Sequence, residues 1–199
     1  MADTTYHSRR YALVNRWDPR HLKTVQRLVN PQPGDRVLEV GCGRGHLTKR
    51  LRDLGVDAVG IDANPEAAMV AVSNGVSYMR AETLEFDGET FDIVVSVHAI
   101  EHIPPIELAL VEMWRVLRPG GKALLIYPAE PIQGIFAVPT SVILHGTPFK
   151  ARRIHCHKLW PAKLRRITEG VGFRHLHSEF NLLSSPQFAT VLEKPYSDL

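Results

Sequence analysis

Val37-Leu38-Glu39-Val40-Gly41-Cys42-Gly43-Arg44-Gly45-His46-Leu47 is the stretch on which the fold turns. A short apolar run stops at three alternating glycines, and a helical pattern with Leu47, Leu51 and Leu54 begins at once. Glycine there lets the backbone come close to a ligand without a Cβ in the way. The helix start adds free N–H groups. Strand, glycine turn and helix in that order predict a ligand outside the carboxyl ends of a parallel sheet.

Working outward, β-rich runs alternate with helical ones. Arg36–Val40, Ala58–Asp62, Val76–Arg80, Phe91–Ser96 and Lys122–Tyr127 read as strands. Asn64-Pro65-Glu66 is a helix start, with Asn64 as cap and Pro65 in the first turn. Pro105–Leu117 reads as a helix ended by Arg118-Pro119-Gly120-Gly121, and Pro161–Gly170 as another. Phe173–Phe180 and Phe188–Glu193 read as a terminal hairpin turning at Ser184-Ser185-Pro186. The fold class is therefore α/β, a doubly wound Rossmann-like sheet, mostly parallel, with an antiparallel C-terminal edge hairpin. One domain accounts for the chain: a cap over 1–35, a ligand-binding core over 36–127, a flap over 128–160 and a closing helix and hairpin over 161–199.

Composition narrows the class. The chain has 199 residues, 44% hydrophobic and 23% charged, which suits a packed globular domain and argues against disorder. A formal net charge of +3 is a weak electrostatic footprint for nucleic acid. Two distant cysteines, Cys42 and Cys156, make no disulfide framework and fit a reducing cytoplasm. Neither a secretory leader nor a spanning helix is read in the sequence.

Asp62 ends the second strand, 21 positions after Gly41. An acid at that tip can accept two hydrogen bonds from a ribose diol. The turn spacing is G-x-G-x-G rather than G-x-G-x-x-G, which weakens a dinucleotide reading.

Four ordered blocks, VLEVGCGRG, VGIDANPEA, FDIVVSVHAIEHI and LRPGGKALL, resemble the class I S-adenosylmethionine-dependent methyltransferases of small-molecule, type 11-like kind. The likeness covers about residues 36–127 and implies a seven-stranded sheet and S-adenosyl-L-methionine as cofactor. It implies that Glu39, Gly41, Cys42 and Gly43 hold the amino-acid part of that cofactor. Asp62 would hold the ribose and Ala63 would lie along the adenine. Ala81 and Glu82 would reach the adenine edge, and Ser96 and Val97 would flank the sulfonium. Arg80 departs from the pattern, because it stands where the family often has Asp and a guanidinium cannot accept from the adenine amino group.

A sulfonium is an activated methyl donor, so the protein's task is alignment and exclusion of water. A hydroxyl acceptor also wants a general base, and His98 and His102 are the candidates at the end of the fourth strand. The place after that strand reads Ser96-Val97-His98-Ala99, not the N/D-P-P-Y/F/W of enzymes acting on exocyclic amines. The expected function is methyl transfer to a small, apolar or amphipathic acceptor, at O or C more than at N.

An aromatic and basic cap (Tyr6 to Tyr11, with Trp17), an apolar flap over 132–149 and the cations Arg152, Arg153, His155, His157 and Lys158 line the expected acceptor side. They suggest a positive entrance, for an acidic acceptor or for peripheral contact with an anionic membrane. His155-Cys156-His157 lacks a second ligand pair, so no metal is expected. His175 and His177 are expected on one strand face. The competing readings are an NAD(P)-dependent oxidoreductase and a non-catalytic protein that binds S-adenosylmethionine.

Overall fold

The computed structural model describes residues 9, 17–129, 156–183 and 185–196. Among the described residues, five helices and seven strands follow one another: α1 Arg20–Val29, β1 Arg36–Val40, α2 His46–Asp53, β2 Asp57–Asp62, α3 Pro65–Met69, β3 Val76–Tyr78, β4 Phe91–Val97, α4 Ile106–Val116, β5 Leu117–Pro128, α5 Pro161–Val171, β6 Arg174–Leu182 and β7 Pro186–Glu193. A 3-10 turn, Ile100–His102, lies between β4 and α4.

The strands form one sheet in the order β3-β2-β1-β4-β5-β7-β6. The pairs from β3 to β5 are parallel. β7 runs antiparallel to both of its neighbours, so the hairpin is as expected, with the reversed strand one place in from the edge. β1 and β4 sit centrally and are buried along nearly their whole length, which is why they read as continuous apolar runs rather than alternating ones.

Both faces of the sheet are covered. Val25 and Val29 of α1 and Leu47 and Leu51 of α2 pack with Val37, Val95 and Leu124 on one face. Ala109, Leu110 and Met113 of α4 and Leu164 of α5 pack with Leu38, Val94 and Leu125 on the other. Asn64 caps α3 as its sequence implies, accepting from the Glu66 N–H at 3.0 Å.

Two expectations need correction. Arg118-Pro119-Gly120-Gly121 does not separate α4 from a strand beginning at Lys122. β5 begins at Leu117, which pairs with Phe91, and an irregularity between Phe91 and Ile93 absorbs the extra residues. His175 and His177 do not share a face. A bulge between them reverses the alternation. His175 then meets the Ser178 hydroxyl at 2.8 Å, while His177 turns to Glu179, which pairs with Arg27 of α1.

Candidate functional site

The carboxyl ends of β1, β2 and β4 lie side by side, and the sequence-predicted residues meet there. Gly41, Gly43 and Gly45 all have φ between +53° and +75°, the left-handed region that glycine enters freely. The Gly41 and Cys42 N–H groups both donate to the Ile61 carbonyl, which ties the turn to β2. A Cβ on Gly41 would stand 2.1 Å from that of Ala99, so the turn also rests against the end of β4.

Asp62 links the loops. One carboxylate oxygen accepts the Gly43 N–H at 2.7 Å, and the other accepts the Asn64 N–H at 2.8 Å. Ala63 sits half-buried beside it.

Glu39 is buried one residue before the end of β1. It accepts the N–H of Thr48 at 2.8 Å and also the Thr48 hydroxyl, which fastens the first turn of α2 onto the strand. Burial pushes its pKa up to about 7, against the pull of those two bonds. Gly45 caps α2 without a side chain, so the helix start faces the turn without a capping group. Burial likewise pushes the Cys42 thiol up, aided by the charges of Glu39 and Asp62. Trp17 stacks on His46, the first residue of α2, at 5.8 Å. The cap therefore reaches the glycine turn, and its residues 10–16 lie outside the described ones.

Arg80 forms an ion pair with Glu82, just past β3. The acid expected to read the adenine edge is thus already partnered, next to a buried Ala81. On β4 the Ser96 hydroxyl is fully buried with no hydrogen-bond partner among the described residues, while Val97 is half-buried.

His98 follows at φ +51°, a left-handed conformation that costs a residue with a Cβ about 1–2 kcal/mol. Its N–H donates to the Ile126 carbonyl at 2.8 Å, which fixes that backbone against β5. The ring reaches two partners: Nε2 lies 2.7 Å from Gln187 Oε1, and Nδ1 lies 3.6 Å from Glu101 Oε1. Burial lowers the pKa of this imidazole, but Glu101 and Gln187 outweigh it and the net shift is upward. His102 lies 3.9 Å from the same Glu101 oxygen. Cys156 and His157 brace this turn: the His157 N–H donates to the Glu101 carbonyl, and its ring lies 3.0 Å from the Ile103 and Pro104 carbonyls. His157 therefore serves the β4–α4 connection rather than a basic patch. Arg152, Arg153, His155 and the flap 132–149 lie outside the described residues. Among the described residues, no group of three or more His, Cys, Asp or Glu is placed to hold a metal ion.

Thr48, His21 and Gln187 were not expected in the site. Thr48 is signalled only by its spacing from Glu39. His21 and Gln187 reach the site from helix α1 and strand β7, and nothing local marks them.

Residues 38–125 match the family model described as a methyltransferase domain. The matched segment takes in β2 and β4, most of β1 and every residue of the turn from Glu39 to Gly45. Ubiquinone biosynthesis O-methyltransferases from Mesorhizobium japonicum and a Chelativorans species are 37% and 38% identical over 103 and 109 residues. Those alignments take in 48% and 51% of this chain and 41% and 43% of the relatives, so the chain spans less than half the length of the curated proteins it matches. Among solved structures, a methyltransferase dependent on S-adenosylmethionine from Archaeoglobus fulgidus superposes with a TM-score of 0.69 at 18% identity, over 87% of this chain and 93% of that one. Another from Methanosarcina mazei gives 0.66 at 19%, over 82% and 94%. At such identities the likeness is one of fold.

Proposed function

We propose that the protein is an S-adenosylmethionine-dependent methyltransferase that acts on the hydroxyl of a small acceptor. The observation that carries this reading is the joint placement of the glycine turn, Asp62 and Ser96 at the carboxyl ends of neighbouring strands, with Asp62 tying the turn at Gly43. The residues present fit the cofactor. A glycine turn, an acid at the tip of β2 and a buried Ser96 hydroxyl with no hydrogen-bond partner among the described residues are features that a polar, partly cationic ligand can use.

In this reading Gly41, Cys42 and Gly43 face the amino-acid end, Asp62 takes the ribose, Ala63 and Ala81 flank the adenine, and Ser96 and Val97 lie nearest the sulfur. Glu39 acts through Thr48, by seating α2 behind the turn. Glu82 is held by Arg80, so its use at the adenine would require breaking that pair. The cofactor supplies an electrophilic methyl group. The protein's own residues hold both reactants, keep water out and receive the proton of the acceptor, with His98 ahead of His102 for that last role because its ring is oriented on both sides. The O-methyltransferase names of the relatives support oxygen as the acceptor atom, and their quinone pathway supports a phenolic acceptor. Two free cysteines, one of them exposed, support a cytoplasmic setting. No helix among the described residues is long and apolar enough to cross a membrane.

Calorimetry with S-adenosylhomocysteine and with NADH tests the cofactor half. Micromolar binding of the first and none of the second is expected. Binding of the dinucleotide alone would sink the proposal and restore the oxidoreductase.

A further inference from the structure

Gln187 lies in β7, fully buried, with a side chain that cannot be left unsatisfied cheaply. Its amide stands between two imidazoles that come from distant segments. Oε1 is 2.7 Å from His98 Nε2, and both Oε1 and the amide nitrogen are 3.4 Å from His21 Nε2. The two histidine rings themselves meet edge to face at 5.6 Å.

A carbonyl oxygen only accepts, so the bond to Gln187 puts a hydrogen on His98 Nε2. In the neutral ring Nδ1 then carries the lone pair, 3.6 Å from the Glu101 carboxylate. Burial and the neighbouring His98 push the pKa of His21 down, against the pull of its own contact with Gln187. The left-handed backbone of His98, held by Ile126, aims the ring into this arrangement. Strain of this kind at the end of a central strand is a mark of a site rather than of packing.

We propose that Gln187 is a positioning residue that fixes His98 as its Nε2–H tautomer and so presents Nδ1, backed by Glu101, as the atom that takes the acceptor's proton. This rests on the O-methylation reading above. The step balances. The acceptor O–H gives its proton to His98 Nδ1, the oxygen lone pair forms the new O–CH3 bond, and the S–CH3 electron pair stays on sulfur, which loses its positive charge. The imidazolium, with one N–H on Gln187 and the other towards Glu101, returns its proton to solvent.

The titratable groups around the ring are His21 from α1, with Asp18 and Arg20 beyond it, and Glu101 and His102 from the turn. β7 offers only the neutral Gln187, so Gln187→Met alters one partner without altering charge, whereas Gln187→Glu adds a carboxylate in its place. Nitrogen-15 NMR of the histidine-labelled full chain, assigned with a His98→Gln variant, reads the tautomer without any cofactor or acceptor. Wild-type His98 should show protonated Nε2 and bare Nδ1 above its titration midpoint. Gln187→Met should give mixed tautomers and a lower midpoint, and Gln187→Glu should keep the Nε2–H form and raise the midpoint. With catechol as the probe acceptor, Gln187→Met should lower kcat by about tenfold or more, with KM little changed and the acid limb of the pH profile moved with the midpoint. Gln187→Glu should recover part of the rate.

A wild-type ring protonated on Nδ1 overturns the proposal even if no variant folds. An unchanged tautomer and acid limb in Gln187→Met overturns it as well. A wild-type chain that binds S-adenosylhomocysteine but methylates no phenol overturns the O-methylation reading instead, and the NMR arm still decides the role of Gln187.

Discussion

Asp62 gives one carboxylate oxygen to the glycine turn and the other to the start of α3. Its loss therefore removes the strut that shapes the turn and, in the proposed reading, the ribose contact. Asp62→Ala should weaken S-adenosylhomocysteine binding by roughly 1–3 kcal/mol, measured by calorimetry, because ribose hydroxyls would be buried without a partner. Unchanged affinity would remove Asp62 from the site. Gly41 makes a sharper test of geometry. An alanine there must occupy φ +75° and displace Ala99, whose Cβ would lie 2.1 Å away. Gly41→Ala should cost about 1–3 kcal/mol in urea unfolding and weaken cofactor binding as well, since the turn and the end of β4 would have to part. A variant as stable as the parent would show that this contact yields.

The link between Glu39 and Thr48 belongs to the elements it joins, β1 and α2. Its pKa of about 7 in the folded chain stands above an ordinary value of 4.5. An acid raised in this way binds its proton more tightly folded than unfolded. Stability from this group is thus greatest below about pH 4.5 and falls as pH climbs to about 7, then levels off, by up to about 3 kcal/mol in all. Glu39→Gln should abolish that fall, read from urea midpoints at pH 5 and pH 8. A parent protein with the same slope as the variant would refute it. The elements themselves were largely legible, because buried parallel strands read as apolar runs and the glycine turn and Asn64 cap announce their neighbours. What escaped is what pairing decides. Leu117 enters β5 through its partner Phe91, which no helix-ending signal at Arg118-Pro119 reveals. A bulge separates His175 from His177, and bulges depend on the facing strand. In the site, residues on the β1, β2 and β4 tips could be read locally. Gln187 could not, since a glutamine in a strand looks like any surface position until β7 is inserted between β5 and β6.

At the scale of the whole molecule, several surface cations are paired. Arg20 binds Asp18, Arg27 binds Glu179 and Arg165 binds Glu169. Exposed pairs of this kind each contribute about 0–1 kcal/mol, so they mute a positive field more than they stabilise. Lys194 is different. It is buried at the far end of the sheet, donates to the Leu117 carbonyl at 2.8 Å and lies 4.1 Å from the Trp114 ring. Lys194→Met should lower stability by about 1–3 kcal/mol in urea unfolding through the orphaned carbonyl, and a neutral effect would mean that water replaces the ammonium. The strand order has one more consequence. In the proposed reading the cofactor lies against the tips of β1, β2 and β4, whereas Gln187 reaches His98 from β7. A lineage could exchange residues 174–193, and with them one partner of the His98 ring, while leaving those tips untouched. The sheet is in effect a socket with a replaceable plug.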